Sequence, residues 1–108
     1  MITIDEFKKG EIKIGEIKSA EIVEGSEKLL KLIVDFGEEN RRTVVSGIRK
    51  HFPEPLDLVG VKCAFVTNLE PRPLMGLTSE AMILAVSTEE TFSLLRVSDD
   101  LPPGAQVK

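Results

Sequence analysis

Every second residue from Leu30 to Phe36 is hydrophobic, and this alternation most restricts what the chain can fold into. A period of two places these side chains on one face of an extended strand, whereas a helix would need a period near 3.6. Similar short runs recur between turns that are rich in glycine and proline. They predict strands over residues 29–36, 41–48, 61–69, 81–86 and 92–97. The pattern therefore favours a chain built mostly of short strands.

The first residues predict a short helix. Thr3 and Glu6 have the spacing of a capping box, in which each side chain accepts a hydrogen bond from the other residue's backbone amide. We therefore expect a helix over residues 4–9 that ends at Gly10.

A long first strand follows this helix. Ile12 and Ile14 keep a period of two, but Ile17 lies three positions further on. If all three side chains share one face, one extra residue must be absorbed near Gly15 and Glu16 as a β-bulge. A bulged strand can curl around a small barrel.

These elements together predict an all-β fold, a five-stranded Greek-key barrel of the OB type with a short N-terminal helix and a C-terminal hairpin extension. The connection between the third and fourth strands carries two prolines and predicts a loop with at most one helical turn, near residues 56–59. An SH3-like barrel is the structural alternative. The 108 residues suffice for one core, so we expect a single domain over residues 1–108.

The residue types argue against catalysis, cofactors and metal. The single Cys63 cannot form an internal disulfide, and the single His51 has no partner for a metal site. We expect Cys63 in the core and His51 at the surface. Ser46 and Ser79 lack a histidine in a matching context, and no glycine-rich phosphate loop is present. We expect a non-catalytic chain with no cofactor and no metal.

Compartment and membrane association are also expectations from the sequence. No run approaches the ~18 apolar residues of a membrane span. The sequence MITIDEFKKG is not a positive leader followed by an apolar stretch. We expect a cytoplasmic chain without a membrane partner.

The charge is unevenly distributed along the chain. The formal net charge is -4, but residues 28–72 hold eight basic and six acidic residues. Residues 1–27 and 73–108 are each net negative by three. This asymmetry could place a basic face on an acidic body, although an ordinary mixed surface is the alternative.

Recognition by exposed aromatic rings is disfavoured, because the chain has no Trp, no Tyr and only five Phe. The remaining candidates are cations and hydrogen-bonding side chains. In an extended third strand Arg42, Val44 and Ser46 would point to one side. Such donors suit the backbone and displayed bases of a folded RNA. The candidates from residue chemistry are Lys28, Lys31, Arg42, Ser46, Asn68, Arg72 and Ser79.

The stretch EPRPLMGLTSEAMILA, from Glu70 to Ala85, is longer and more polar than a hairpin turn requires. We expect a loop that forms the rim of a binding face. Pro71 and Pro73 would restrict this loop and so lower the ordering cost of binding.

Four separated motifs resemble one family. VEGSEKLLKLIVDFG, RTVVSGI, NLEPRPLMGLTSEAMILA and LPPGAQVK occur in the order and at the spacing typical of tRNA-binding domains. That family includes free-standing tRNA-binding proteins, the appended domain or beta subunit of methionyl-tRNA synthetases, and an export-related chaperone. The resemblance runs from about Phe7 to Lys108. It implies an OB barrel, homodimerisation through the terminal segments, and binding to the outside of the tRNA elbow.

The resemblance also implies site residues, position by position. The matching positions are Lys28, Arg42, Ser46, Asn68, Arg72, Gly76, Ser79 and Met82. Many relatives carry further basic residues where this chain has Pro73 and Met75, and a Gln where it has Glu80, so the loop is less positive here.

Several alternatives stay open. Asn68 could instead bond nearby backbone, Ser79 could cap a local turn, and Met82 could belong to the core. A chaperone that binds unfolded polypeptide would expose Leu74, Met75 and Leu77 on one face. A third possibility is a structural partner that docks on a synthetase.

Overall fold

The computed structural model describes residues 1–108 and begins with one short helix, α1, over Ile4–Phe7. The predicted capping box is confirmed: Thr3 Oγ1 accepts a hydrogen bond from the Glu6 amide at 3.1 Å, and Glu6 Oε1 accepts one from the Thr3 amide at 3.3 Å. The helix ends two residues before the predicted end. After Lys8 the backbone hydrogen bonds join residues three apart, as from Gly10 N–H to Phe7 O. This is the pattern of a 3-10 turn, so the α-helix does not continue.

Nine strands follow and confirm the all-β, OB-like prediction. They are β1 (Ile12–Ile22), β2 (Leu30–Asp35), β3 (Arg42–Ser46), β4 (Lys62–Val66), β5 (Arg72–Leu74), β6 (Leu77–Ser79), β7 (Met82–Ile83), β8 (Ala85–Ser87) and β9 (Phe92–Leu94). Five of them form an antiparallel sheet in the order β3-β2-β1-β4-β7. Two hydrogen bonds between Thr43 and Glu80 bring the far edge of β3 to the chain just before β7. The sheet thus curls into a nearly closed barrel.

The observed strands are shorter than the predicted ones. The predicted strand over residues 81–86 is two strands that are interrupted at Leu84, whose backbone bonds to Ala64 and Leu95. β8 and β9 form the expected C-terminal hairpin, and Thr88 and Thr91 close its turn.

The predicted bulge exists, but its predicted position in β1 is wrong. The register against β2 shifts between Ile17 and Ser19, so Lys18 is the extra residue. Gly15 and Ile17 face the core, so Ile14 lies on the outer face, where it is only 3% exposed. The sequence pattern could not show that both faces of β1 are buried.

Gly15, rather than the expected Ile14, faces the barrel interior together with Ile17. A Cβ at this position would lie 2.5 Å from Val34 Cγ1 and 2.7 Å from Phe36 Cε1. Phe36 packs edge-on against Phe65 with ring centroids 5.1 Å apart. Gly15 therefore leaves the space that these two rings fill.

The core also buries the one cysteine. Cys63 is fully buried in β4, as expected, and burial raises the pKa of its thiol to about 12.

The connection between β3 and β4 contains two short 3-10 helices, Arg49–His51 and Pro55–Leu58, where one helical turn was expected. Leu58 is fully buried and closes one end of the core.

The stretch that was expected to be an irregular loop is instead a β-hairpin. β5 and β6 pair from Arg72–Ser79 to Leu74–Leu77, and a two-residue turn joins them. Met75 and Gly76 both have positive φ, 51° and 77°, which is the conformation of a type I′ turn. The loop prediction was wrong because Met is rare in this turn position.

The C-terminal segment returns to β1. Gly104 N–H donates to Ile14 O at 2.7 Å, Ile14 N–H donates to Ala105 O at 2.8 Å, and Val107 N–H donates to Ile12 O at 2.9 Å. The segment lies beside β1 near helix α1. None of the helices is long and apolar enough to cross a membrane.

Candidate nucleic-acid interface

The eight candidate residues differ in whether their polar groups are already bonded within the fold. Arg42, Asn68 and Ser79 are fully engaged by internal hydrogen bonds. The side chains of Lys28 and Arg72 form no ion pair or hydrogen bond. Lys31, Ser46 and Met82 complete the set.

Arg42 closes the barrel rather than facing solvent. Its Nε and Nη2 donate to the two carboxylate oxygens of Glu38 at 2.8 and 2.7 Å. Its Nη1 donates to the backbone oxygens of Thr67 at 2.6 Å and Glu80 at 3.3 Å. The guanidinium lowers the pKa of the Glu38 carboxyl chiefly through its hydrogen bond. The same bond raises the pKa of Arg42. Little donor capacity remains for a phosphate.

Ser79 has an equivalent structural role where β3 meets β6. Its Oγ accepts a hydrogen bond from the Val45 amide at 3.0 Å and donates one to Ala81 O at 3.1 Å. The residue is only 7% exposed. We call the junction formed by Arg42, Thr43, Val45, Ser79 and Glu80 the seam.

Asn68 attaches helix α1 to the barrel. Its Oδ1 accepts from the Glu11 amide at 2.7 Å, and its Nδ2 donates to Lys9 O at 2.6 Å. Beside it, Thr67 Oγ1 donates to the Glu11 carboxylate at 2.7 Å, and this bond is the main cause of a lowered pKa for Glu11. The alternative that Asn68 bonds backbone is thus observed, with partners remote in sequence.

Arg42, Val44 and Ser46 share one face of β3, as alternation predicts. They pair with Val34, Leu32 and Leu30 of β2, which are core residues, and Val44 is fully buried. The row therefore faces the barrel interior. Its two polar members lie at opposite ends of β3, ~13 Å apart along the strand.

Three exposed cations lie around the Ser46 end of β3. Gly47, Lys28 and Lys50 line one shallow concavity together with Glu27. Ser46 and Arg72 line a neighbouring cleft. None of the three cations forms an ion pair. We call Lys28, Lys50 and Arg72 the cationic rim.

The neighbouring cleft lies between β3, the β5–β6 hairpin and β7. Its volume is about 130 Å³, well below the ~300 Å³ that small-molecule pockets typically reach. Its wall combines the polar Ser46, Glu70 and Arg72 with apolar side chains such as Leu69 and Met82. Such a cleft suits part of a macromolecule better than a whole metabolite. No group of three or more His, Cys, Asp or Glu side chains could hold a metal ion.

The tip of the β5–β6 hairpin contacts the turn between β1 and β2. Met75 Cε lies 3.7 Å from the position that a Cβ of Gly25 would occupy. The hairpin that carries Arg72 therefore lies beside the turn that precedes Lys28. Lys31, also a candidate, pairs with Glu21 at 3.4 Å, so its charge is partly neutralised.

Sequence reasoning missed Lys50. It is the second residue after the SGI motif, but the two prolines beyond it led us to treat the whole segment as a connection. The available signal was the run Arg49-Lys50, next to a strand end that already carried Ser46.

The three residues named for a polypeptide-binding face are not equally exposed. Met75 is 58% exposed, whereas Leu74 and Leu77 are half-buried. Other exposed apolar side chains beside the cleft are Leu69 and Met82. The apolar surface near the rim is therefore broken rather than continuous.

The sequence of this chain is similar to a known protein family and to parts of longer proteins. Residues 12–106 match the model of a family described as a putative tRNA binding domain. The chain is 44% identical over 106 residues to a methionine–tRNA ligase of Thermotoga maritima and 47% identical over 107 residues to that of Methanococcus aeolicus. These matches cover 98% and 99% of this chain, and the chain spans only 16% of each ligase.

Solved structures are similar over the whole chain. A protein described as related to methionyl-tRNA synthetase, from Pyrococcus horikoshii, superposes with a TM-score of 0.92 at 40% identity and covers 100% of this chain and 98% of its own. The chaperone CsaA of Bacillus anthracis has a TM-score of 0.86 at 28% identity, with coverage of 100% and 99%. One shape thus occurs in proteins with two different descriptions.

Proposed function

The chain belongs to the family of putative tRNA-binding domains, and from this premise we propose that it binds folded tRNA without catalysing a reaction. It would act either free-standing or in trans to a methionyl-tRNA synthetase. The similarity to methionine–tRNA ligases supports the second setting. We place it in the cytoplasm, and cell fractionation would test that placement.

The cationic rim is the observation that carries this proposal. A chain with a net charge of -4 would repel RNA unless its free cations were concentrated on one face. Lys28, Lys50 and Arg72 are exposed and unpaired around the Ser46 end of β3, whereas Arg42 is neutralised by Glu38. The carboxylates of Glu27 and Glu70 line the same two concavities, so the three cations leave the rim net positive by one, and it offers phosphates a local positive surface.

Within this proposal the candidate residues have different tasks. Lys28 and Arg72 neutralise phosphates, and the Ser46 hydroxyl and the Met82 side chain contact sugar or base edges in the cleft. Lys31, held beside the rim by its pair with Glu21, contributes a weaker charge. Arg42, Asn68 and Ser79 act as positioning residues, since they fix the strands that carry the others.

The test is a titration of unfractionated tRNA with the wild-type protein and with Arg72→Ala, at low and moderate salt. Arg41→Ala is the matched control, because Arg41 is exposed and unpaired but lies at the other end of β3. We expect wild-type binding that weakens steeply with salt and a loss of roughly fivefold for Arg72→Ala alone. Equal affinities of the two variants, or wild-type binding that salt does not change, would contradict the proposal.

We further propose that the chain forms a homodimer through its terminal segments. Helix α1 and the C-terminal segment enclose an open groove of about 650 Å³ that Ile4, Phe7, Ile12 and Val107 line. Ile4 and Phe7 are more than half exposed. A second copy would cover these side chains and double the number of RNA contacts.

Sedimentation of the intact chain tests the dimer. Phe7→Glu places a charge in the groove and should yield a monomer, whereas Lys9→Glu, outside the groove on the same short segment, should not. A monomeric wild-type protein at micromolar concentration would contradict this part of the proposal.

Polypeptide binding is the second candidate function. The similarity to chaperone CsaA over the whole chain and the exposed Leu69, Met75 and Met82 favour it. In the same titration, an unfolded polypeptide that displaces tRNA, or that binds alone, would support this function. Resistance of the complex to that competitor would count against it. A purely structural role predicts instead co-purification with a synthetase and no tRNA binding.

A further inference from the structure

Two aromatic rings from separate parts of the chain form a stack beside the cationic rim. His51, in the first 3-10 helix, lies parallel to Phe92 of β9, with ring centroids 3.8 Å apart and an interplanar angle of 6°. Phe52 meets Phe92 nearly edge-on at 5.8 Å. The proposed function so far makes no use of this cluster.

The stack is partly open to solvent. His51 and Phe92 are both half-buried, and they line an open concavity of about 310 Å³. One face of the His51 ring lies against Phe92, so its opposite face is the one left for a further ring. A further flat ring could therefore extend the stack from the His51 side.

Free cations flank the concavity. Arg96 lines it, is exposed, and forms no ion pair. Lys50, the residue before His51, belongs to the cationic rim. A further concavity, lined by Lys50 and Phe52 among others, shares residues with both, so the rim and the aromatic stack are contiguous on the surface.

We propose that an unpaired base of the bound RNA stacks on His51 and extends the His51–Phe92 stack by one ring, while Arg96 contacts the adjoining phosphate. This inference rests on the proposed function, because it needs RNA at the rim. Folded RNAs display unstacked bases in loops and at ends, and flat side chains bind them without sequence preference. The two rings are already stacked, so little ordering is needed when the base binds.

A purely structural role would also explain the stack. His51 and Phe92 could serve only to pack the 3-10 helix against the β8–β9 hairpin. That role predicts variants that change the free energy of unfolding but not the affinity of the folded protein for tRNA. The two roles are therefore separated by measuring both quantities.

The test uses tryptophan fluorescence, since the wild-type chain contains no Trp and no Tyr. His51→Trp places a single fluorescent ring at the proposed stacking position. Leu56→Trp is the matched control, because Leu56 is 74% exposed on the neighbouring 3-10 helix and does not line the concavity. Unfractionated tRNA should quench the Trp at position 51 but not the one at position 56. Inorganic polyphosphate, which has charge but no bases, should quench neither.

Affinity provides the second readout. His51→Ala, verified as folded by circular dichroism, should bind tRNA roughly 5- to 100-fold more weakly, whereas His51→Trp should keep wild-type affinity. Unchanged fluorescence at position 51 in a protein that binds tRNA and responds to Arg72→Ala overturns the stacking inference and leaves the proposed function intact. Quenching by polyphosphate alone also overturns it. Absence of any tRNA binding overturns both.

Discussion

The seam and the cationic rim use the same residue types for opposite purposes. At the seam, Arg42 donates two hydrogen bonds to the Glu38 carboxylate and two to backbone oxygens. Its guanidinium is therefore engaged in closing the barrel. At the rim, Arg72 is exposed on a short hairpin, and its side chain forms no hydrogen bond or ion pair. The difference is one of partners rather than chemistry. A cation that the fold already satisfies stabilises the protein, and an unsatisfied one is available to a ligand.

The same division applies to the serines. Ser79 is buried with its Oγ bonded to Val45 and Ala81, while Ser46 stays partly exposed in the cleft. We therefore expect seam variants to change the free energy of unfolding and rim variants to change RNA affinity. The predictions below test that separation.

Arg42→Ala should have the largest effect. It leaves the backbone oxygens of Thr67 and Glu80 and the Glu38 carboxylate without their donor, so we expect the free energy of unfolding to fall by about 2–3 kcal/mol. Urea unfolding followed by far-UV circular dichroism would measure it. Arg41→Ala, next in the chain but exposed, should change the value by no more than about 0.5 kcal/mol. Equal effects of the two variants would remove the distinction between seam and surface.

Ser79→Ala should have the second largest effect. The substitution leaves the Val45 amide without an acceptor at a nearly buried position, which costs about 1–2 kcal/mol of unfolding free energy. Thr78→Ala is the control, because Thr78 neighbours it in β6 but is exposed. If folded Ser79→Ala also lost tRNA affinity while Thr78→Ala did not, Ser79 would act at the interface as well as at the seam.

Lys50→Ala tests the rim residue that sequence analysis missed. We expect roughly a fivefold loss of tRNA affinity, about 1 kcal/mol, with no change in unfolding free energy. A plot of log affinity against log salt should become shallower by roughly one unit if Lys50 contacts a phosphate. Lys9→Ala should leave both affinity and slope unchanged. An unaltered slope for Lys50→Ala would show that Lys50 contacts no phosphate.

The smallest expected effect is a pH dependence of the seam. The pKa of Glu38 is lowered in the folded protein from its ordinary value of 4.5, so the unfolded chain takes up this proton first as the pH falls. The stabilisation is therefore complete above about pH 4.5 and is lost as the pH decreases through the folded-state value. Glu38→Gln should flatten that part of the stability curve. A curve identical to wild type between about pH 5 and 3 would show that Glu38 contributes nothing measurable.

The sequence predicted the barrel because its evidence is local. Alternation from Leu30 to Phe36 depends only on neighbouring residues, and so does the capping box of Thr3 and Glu6. The bulge was misplaced because Ile14 is buried on the face of β1 opposite to Gly15, and a local pattern does not show that both faces of a strand are buried. Burial on the second face therefore limited the accuracy of strand detail.

The site was harder to predict for a related reason. Arg42 and Arg72 are equivalent in a one-dimensional sequence, and only the fold shows that Glu38 and Glu80 surround the first. The β5–β6 hairpin escaped prediction because Met75 adopts a conformation that Asn or Gly usually supplies. Lys50 escaped because its neighbours along the chain suggested an ordinary connection.

The pairing of the C-terminal segment with β1 also has a kinetic consequence. Ile14 and Gly104 are joined across almost the whole chain, so their hydrogen bonds can form only after a large loop has closed. We therefore expect these contacts to form late, after the transition state for folding. Weakening them should therefore accelerate unfolding while leaving the folding rate nearly constant. We expect the segment to set the lifetime of the native barrel, measured as the unfolding rate in stopped-flow experiments, rather than the folding rate.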